Sequence, residues 1–238
     1  MKTLKLLLKA SLGKAVLTLT GCWMIALGVY VLCIANELPK KFFFFVATLL
    51  TIWTIGYFFS IASRFAKGAQ KPLLPMQMIP TFLLGIGTVL RLIFIFSILI
   101  LSETILYVVW PPVQEYFEKI VLIYIVLIVS PYLLFITAFS EKRPWIKGFL
   151  SFIKKHMTNA FAFIFWLSLS FVVYNFVARF IFRFSTSMTA MIVISFALFV
   201  LFFWLLIFNA VLLGYFTKRT LTPTENTVKT IEDKSEKK

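Results

Sequence analysis

PWIKGFLSFIKKHMTNAFAFIFWLSLSFVVYN, residues 144–175, joins two kinds of helix in one stretch. At ~100° per residue, Lys147, Ser151, Lys154 and Lys155 share one face of its first half. Trp145, Phe149, Phe152 and Ile153 take the other face. A basic amphipathic helix of this kind is expected in the membrane interface, with lysines toward headgroups and aromatics in the acyl boundary. Residues 160–178 then run without a charge, ~28 Å as a helix and long enough to cross a hydrocarbon core. An interfacial helix feeding a transmembrane helix is thus the unit of the fold.

The remainder of the 238-residue chain agrees with that unit. It is 61% hydrophobic, and its 29 Phe alone outnumber its 24 Lys and Arg, which places it among polytopic all-α membrane proteins. A net charge of +15 would suit nucleic acid only if the basic residues formed a patch on a soluble face. Instead they sit between apolar runs, the pattern of a membrane protein, so nucleic acid is not an expected partner.

Six crossings follow, at about 15–36, 42–61, 81–110, 120–139, 160–178 and 188–215, within a single transmembrane domain 1–219. Residues 220–238 read as a polar, disordered cytoplasmic tail. Met1 to Lys14 repeats the interfacial idea, with Lys2, Lys5 and Lys9 on one face. In the first crossing Thr18, Gly21, Gly28 and Ala35 form a stripe of small residues on which another helix could pack closely. Leu19-Thr20-Gly21-Cys22 has the pattern of a lipoprotein cleavage site. Lys14 leaves only Ala15 to Thr20 as an apolar run ahead of that site, however, too short for a signal peptide. Cys22 and Cys33 lie eleven residues apart on one helix, ~16 Å, and cannot bridge.

Two registers fit residues 81–110. Either one long helix carries both Arg91 and Glu103, or an interfacial helix ends near Arg91 and a shorter crossing holds Glu103. Pro80 makes a regular helix before it unlikely, and Pro131 marks a kink in the fourth crossing. Nineteen Lys and Arg fall in the N-terminal segment, residues 62–91, residues 140–157 and the tail, with Arg91 counted among them. Five fall on the other side: Lys40, Lys41, Lys119, Arg179 and Arg183. With six crossings, both termini are then expected in the cytoplasm.

Each pair of crossings closes on similar ground: GYFFSIASRFAKG at 56–68, SPYLLFITAFSEKR at 130–143 and NAVLLGYFTKRT at 209–220. Hairpins of about seventy residues in one orientation suggest three parallel repeats. The plan resembles the YciC-like family of bacterial inner-membrane proteins, and more loosely the membrane domains attached to some glycerophosphodiester phosphodiesterases. The segments that carry the likeness are KTLKLLLKASLGKAVLTL at 2–19, KRPWIKGFLSFIKKHMTNAFAFIF at 142–165 and AVLLGYFTKR at 210–219. The resemblance implies a six-helix bacterial inner-membrane protein and no particular reaction. The large outer loops of some relatives are missing here.

Catalysis on lipid or phosphate would call for clustered carboxylates, or for His and Ser or Cys in mutual reach. Of nine acidic residues four lie in the tail, and neither HExxH nor a Gly-rich phosphate turn occurs. His156 stands among the interfacial lysines. The chain therefore reads as non-enzymatic and without a cofactor or metal. The expected partners are anionic lipid headgroups, other membrane proteins or further copies of itself. Glu103 is the one carboxylate within a crossing, and Asn175, Arg179 and Arg183 follow at a spacing of four, above Ser168. A Glu103–Arg179 contact would be a polar lock between helices, or would line a path for a solute in a small permease or channel subunit. Thr48, Thr51 and Thr54 share a broad face of the second crossing.

Overall fold

The computed structural model describes residues 14–35, 40–68, 78–109, 112, 116–138, 149–183 and 187–221. They form α1 (Lys14–Ala35), α2 (Lys40–Ala66), α3 (Met78–Val109), α4 (Phe117–Tyr124), α5 (Ser130–Ala138), α6 (Phe149–Arg183) and α7 (Met188–Leu221). A π-helical turn, Ile125–Val129, joins α4 to α5 as one crossing. Among the described residues there are no strands, and six helices are long and apolar enough to cross a membrane. The protein is an all-α, multi-pass integral membrane protein. The N-terminal basic segment with Lys2, Lys5 and Lys9, residue Lys147, and the tail from 222 onward lie outside the described residues.

Residues 81–109 belong to one helix. It begins at Met78, three residues earlier than Pro80 would suggest, because a proline in the first turn needs no intrahelical donor. Pro131 acts as expected, but on the turn before it. Its ring crowds the carbonyl four residues back and it offers no N–H, so the helix widens there. The Ser130 N–H donates to the Ile125 carbonyl, five residues behind.

α2 and α7 form the centre, with α1 lying along both of them, α5 and α6 on their other side, and α3 laid along α2. The glycines explain how closely these helices approach. A Cβ on Gly56 would overlap the Thr81 carbonyl oxygen, and one on Gly85 would overlap the Ile52 carbonyl oxygen, so α2 and α3 touch backbone to backbone. Gly214 does the same for α7 against Ala62 and Phe65 of α2. Lipid supplies no hydrophobic drive between helices, and contact at this range gives the dispersion that replaces it. Gly68, at φ +83°, then ends the chain's run along α2, its N–H donating to the Phe65 carbonyl at 3.0 Å.

The stripe expected on α1 is not used this way. Nothing lies within 4 Å of a Cβ built on Gly21 or Gly28. α1 instead buries Ala15, Val16, Leu19, Ala26 and Cys33. Two of the aromatics expected to face acyl chains, Phe149 and Phe152, are redirected, while Trp145 lies outside the described residues. Phe149 and Phe152 are buried against α5, with Phe149 at 5.2 Å from the Tyr132 ring and Phe152 at 5.4 Å from Phe135. α6 breaks its helical geometry at His156 (φ −124°, ψ 15°), so residues 149–155 fold against α5 before the crossing proper begins.

Burial is unequal along the bundle. The core gathers at the start of α1 and α6, the end of α2 and α7, and α5, which the up-and-down order brings to one end. The other halves expose their large apolar side chains, as helices facing acyl chains do. Replacing Gly56 or Gly85 with alanine should cost about 1–3 kcal/mol of stability, because backbone on the facing helix cannot rotate aside. Gly21→Ala, in open space, should leave thermal denaturation in mild detergent unchanged or raise it. Equal tolerance at all three positions would mean that α2 and α3 do not meet at Gly56.

Candidate functional site

Along α3 the backbone contact at Gly85 is a fixed reference. Arg91 lies six residues past it, roughly 9 Å along the helix, and Glu103 eighteen residues past it, roughly 27 Å. Glu103 is thus six residues from the C-terminal end of α3 and half-buried, whereas Arg91 stands near the middle of the 32-residue helix. Moving Arg91 off the basic end leaves the Lys and Arg imbalance almost unchanged.

The structure does not bring Glu103 and Arg179 together. α3 packs along α2, not α6, and among the described residues no ion pair joins the two. Arg179 and Arg183 are exposed on the C-terminal part of α6. Asn175 is exposed too, and its amide Nδ2 donates to the Phe171 carbonyl of its own helix at 2.9 Å. Ser168 is exposed on the same helix. The stripe at a spacing of four therefore faces away from the bundle. The threonines of α2 mostly satisfy themselves: Thr48, Thr51 and Thr54 donate to the carbonyls four residues back. Thr54 alone does more, accepting from Trp23 Nε1 of α1 at 3.1 Å.

A second polar contact joins α6 to α7, Ser170 with Asn209. Asn209 is 3% exposed. Its Nδ2 donates to Ser170 Oγ at 2.9 Å and to the Leu205 carbonyl at 2.9 Å. Asn209 is the sole amide side chain in α7, and an amide in an apolar span is the signal that could have singled it out. Beside the pair lies a cavity of about 40 Å³ lined by Phe58, Leu167, Tyr174, Phe202 and Leu206 among others. It has room for a water or two and no more, so it serves packing rather than a solute. Ser130 Oγ also crosses helices, donating to the Ala160 carbonyl at 2.9 Å.

At the closed end of the bundle the cations converge. Arg64 and Lys67 at the end of α2, Lys218 and Arg219 at the end of α7, and Lys154 before the His156 bend lie at one end by chain order. Lys218 Nζ comes within 3.6 Å of where a Gly68 Cβ would stand, which ties the two helix ends directly. The side chain of Lys155 is outside the described set. The described carboxylates, Glu103 and Glu118, are at the opposite end. No group of three or more His, Cys, Asp or Glu that could hold a metal occurs among the described residues.

No protein-family model matches this sequence, and comparison with curated proteins and with solved structures returns no similar chain.

Because Glu103 and Arg179 sit on helices that do not pack together, their effects should be independent. Glu103→Gln and Arg179→Gln should each change thermal stability little. The double variant should equal the sum of the singles within about 0.5 kcal/mol. A coupling well above that would restore the lock.

Proposed function

We propose that this protein is a non-enzymatic membrane component that holds anionic lipid at its closed, basic end and meets other membrane proteins, or copies of itself, along its open half. The observation that carries the reading is the convergence of Arg64, Lys67, Lys154, Lys218 and Arg219 at the end where the core is tightest. Near a surface, each such cation contributes roughly 1 kcal/mol toward an anionic leaflet. The packed core beneath them keeps the helix ends in fixed relation, so the charges act together. The open half exposes apolar side chains, the surface on which a partner helix or lipid would lie. The bacterial inner membrane, the cytoplasmic location of both termini and a kinship with the YciC-like plan belong to the same proposal.

Purified in mild detergent, the full chain should retain phosphatidylglycerol in preference to phosphatidylcholine, and lose that preference as salt rises. Changing Lys67, Lys218 and Arg219 together to Gln should weaken it on the order of a hundredfold, from three cations at roughly 1 kcal/mol each. Equal retention of both lipids would sink the reading. Reporter fusions at Lys71, Lys147 and Lys234 should report cytoplasm, and those at Lys40, Lys119 and Arg183 the far side. Reversal at any two sites would overturn the orientation.

A second reading, a small permease or channel subunit, draws on the π turn at Ile125–Val129, since broken helices in mid-crossing are a feature of transporters. Its route would lie inside the open half, because Asn175, Arg179 and Arg183 face outward.

A further inference from the structure

The hydrogen bonds of Asn209 do not balance. Its Nδ2 gives one proton to Ser170 Oγ and the other to the Leu205 carbonyl, each at 2.9 Å, which uses both protons of the amide. Ser170 Oγ also stands 3.3 Å from Asn209 Oδ1, but it is only 2.7 Å from the Leu167 carbonyl. A hydroxyl has one proton to give, and the shorter contact takes it. Exchanging the amide oxygen and nitrogen does not help, since the oxygen would then face the Leu205 carbonyl, acceptor against acceptor. Asn209 Oδ1 is therefore an acceptor without a proton among the described residues, on a side chain only 3% exposed. Acyl chains have no proton to offer it.

Asn209 and Ser170 both line the cavity between α6 and α7, to which Phe58 of α2 also contributes. Its volume of about 40 Å³ exceeds the roughly 10–15 Å³ that one water needs. A held water also needs two to four polar partners. The lining offers Asn209 Oδ1, the remaining lone pair of Ser170 Oγ and the Tyr174 phenol, and is otherwise apolar. Asn209 stands twelve residues before Leu221, and Ser170 thirteen before Arg183, at helix ends on opposite faces of the membrane. Bulk water beyond those ends is thus roughly 18 Å or more away along the helices.

We propose that this cavity is a water site, in which one water donates to Asn209 Oδ1 and makes the polar tie between α6 and α7 a hydrated one in mid-span. The volume admits nothing much larger than water, and an apolar guest would bring no proton. An ion is excluded because none of the residues that line the cavity carries a charge. The site is independent of lipid binding at the basic end.

The test pulses the full chain with X-rays in heavy-oxygen water, in mild detergent, and locates the incorporated oxygen by mass spectrometry. Radicals formed from a held water attack the side chains beside it, so aromatics away from bulk water take label only where water sits. Tyr174 and Phe202 should be labelled, whereas Phe163, 1% exposed and not in the lining, should not. N209L removes the acceptor and should lose most of that label. S170A keeps Asn209 Oδ1 and should keep the label, which separates the acceptor from the helix tie. L206F fills the cavity and leaves Asn209 intact. It should lose the label and melt roughly 2–4 °C lower, because Oδ1 is then buried without its donor. A dry cavity would instead gain stability from the same filling. Label on Tyr174 and Phe202 no higher than on Phe163, label unchanged in N209L, or a higher melting temperature in L206F would each overturn the proposal.

Discussion

Backbone contact between helices governs this protein. In a bilayer the apolar side chains of neighbouring helices gain nothing by leaving lipid for each other, so association needs surfaces that fit more closely than lipid does. Gly56 against Thr81 and Gly85, and Gly214 against Ala62, provide that fit. α2 takes part in both, which makes it the piece on which α3 and α7 are assembled. The remaining helices then follow from where α2 and α7 leave space. α1 settles along both, its Trp23 donating to Thr54, and α5 fills the far side with buried Tyr132, Leu134 and Ile136.

That dependence explains the unequal burial. The Gly214 contact lies near the end of α7, and Ala62 near the end of α2, so tight packing is concentrated where the basic residues emerge. Polar ties extend it toward mid-span: Ser130 with the Ala160 carbonyl, and further along α6 Ser170 with Asn209. Toward the opposite pole α3 outruns its partner and the helices lose mutual cover. A bundle closed at one end and loose at the other presents two different surfaces to the membrane, a charged rigid one and an apolar adaptable one.

The number of crossings, their order and the break after the basic segment were all legible in the sequence, because each depends on local pattern. Charge-free runs of about twenty residues mark spans, and the change from lysines to unbroken apolar residues falls near His156, where α6 bends. What local pattern cannot carry is which face of a helix meets which neighbour. Gly21 and Gly28 look as suited to helix packing as Gly56 and Gly85, yet only the second pair meets backbone. Glu103 and Arg179 stay apart for the same reason: the spacing along each helix is local, but that α3 packs chiefly on α2 among the described helices is not. The aromatics of Phe149 and Phe152 were assigned to lipid because α5 could not be seen as their partner.

The proline in the fourth crossing links fold to function most directly. A regular helix through Ile125–Val129 would present an even face to α3, and the two could close along their length. Pro131 removes a donor and widens the turn before it; beyond that turn α5 packs on α6 and α7, and before it Tyr124 ties α4 to the Ile95 carbonyl of α3. A widened turn in mid-crossing is costly in lipid, where no water meets a freed carbonyl, and the buried face of α5 directly beyond it supplies packing that offsets the cost.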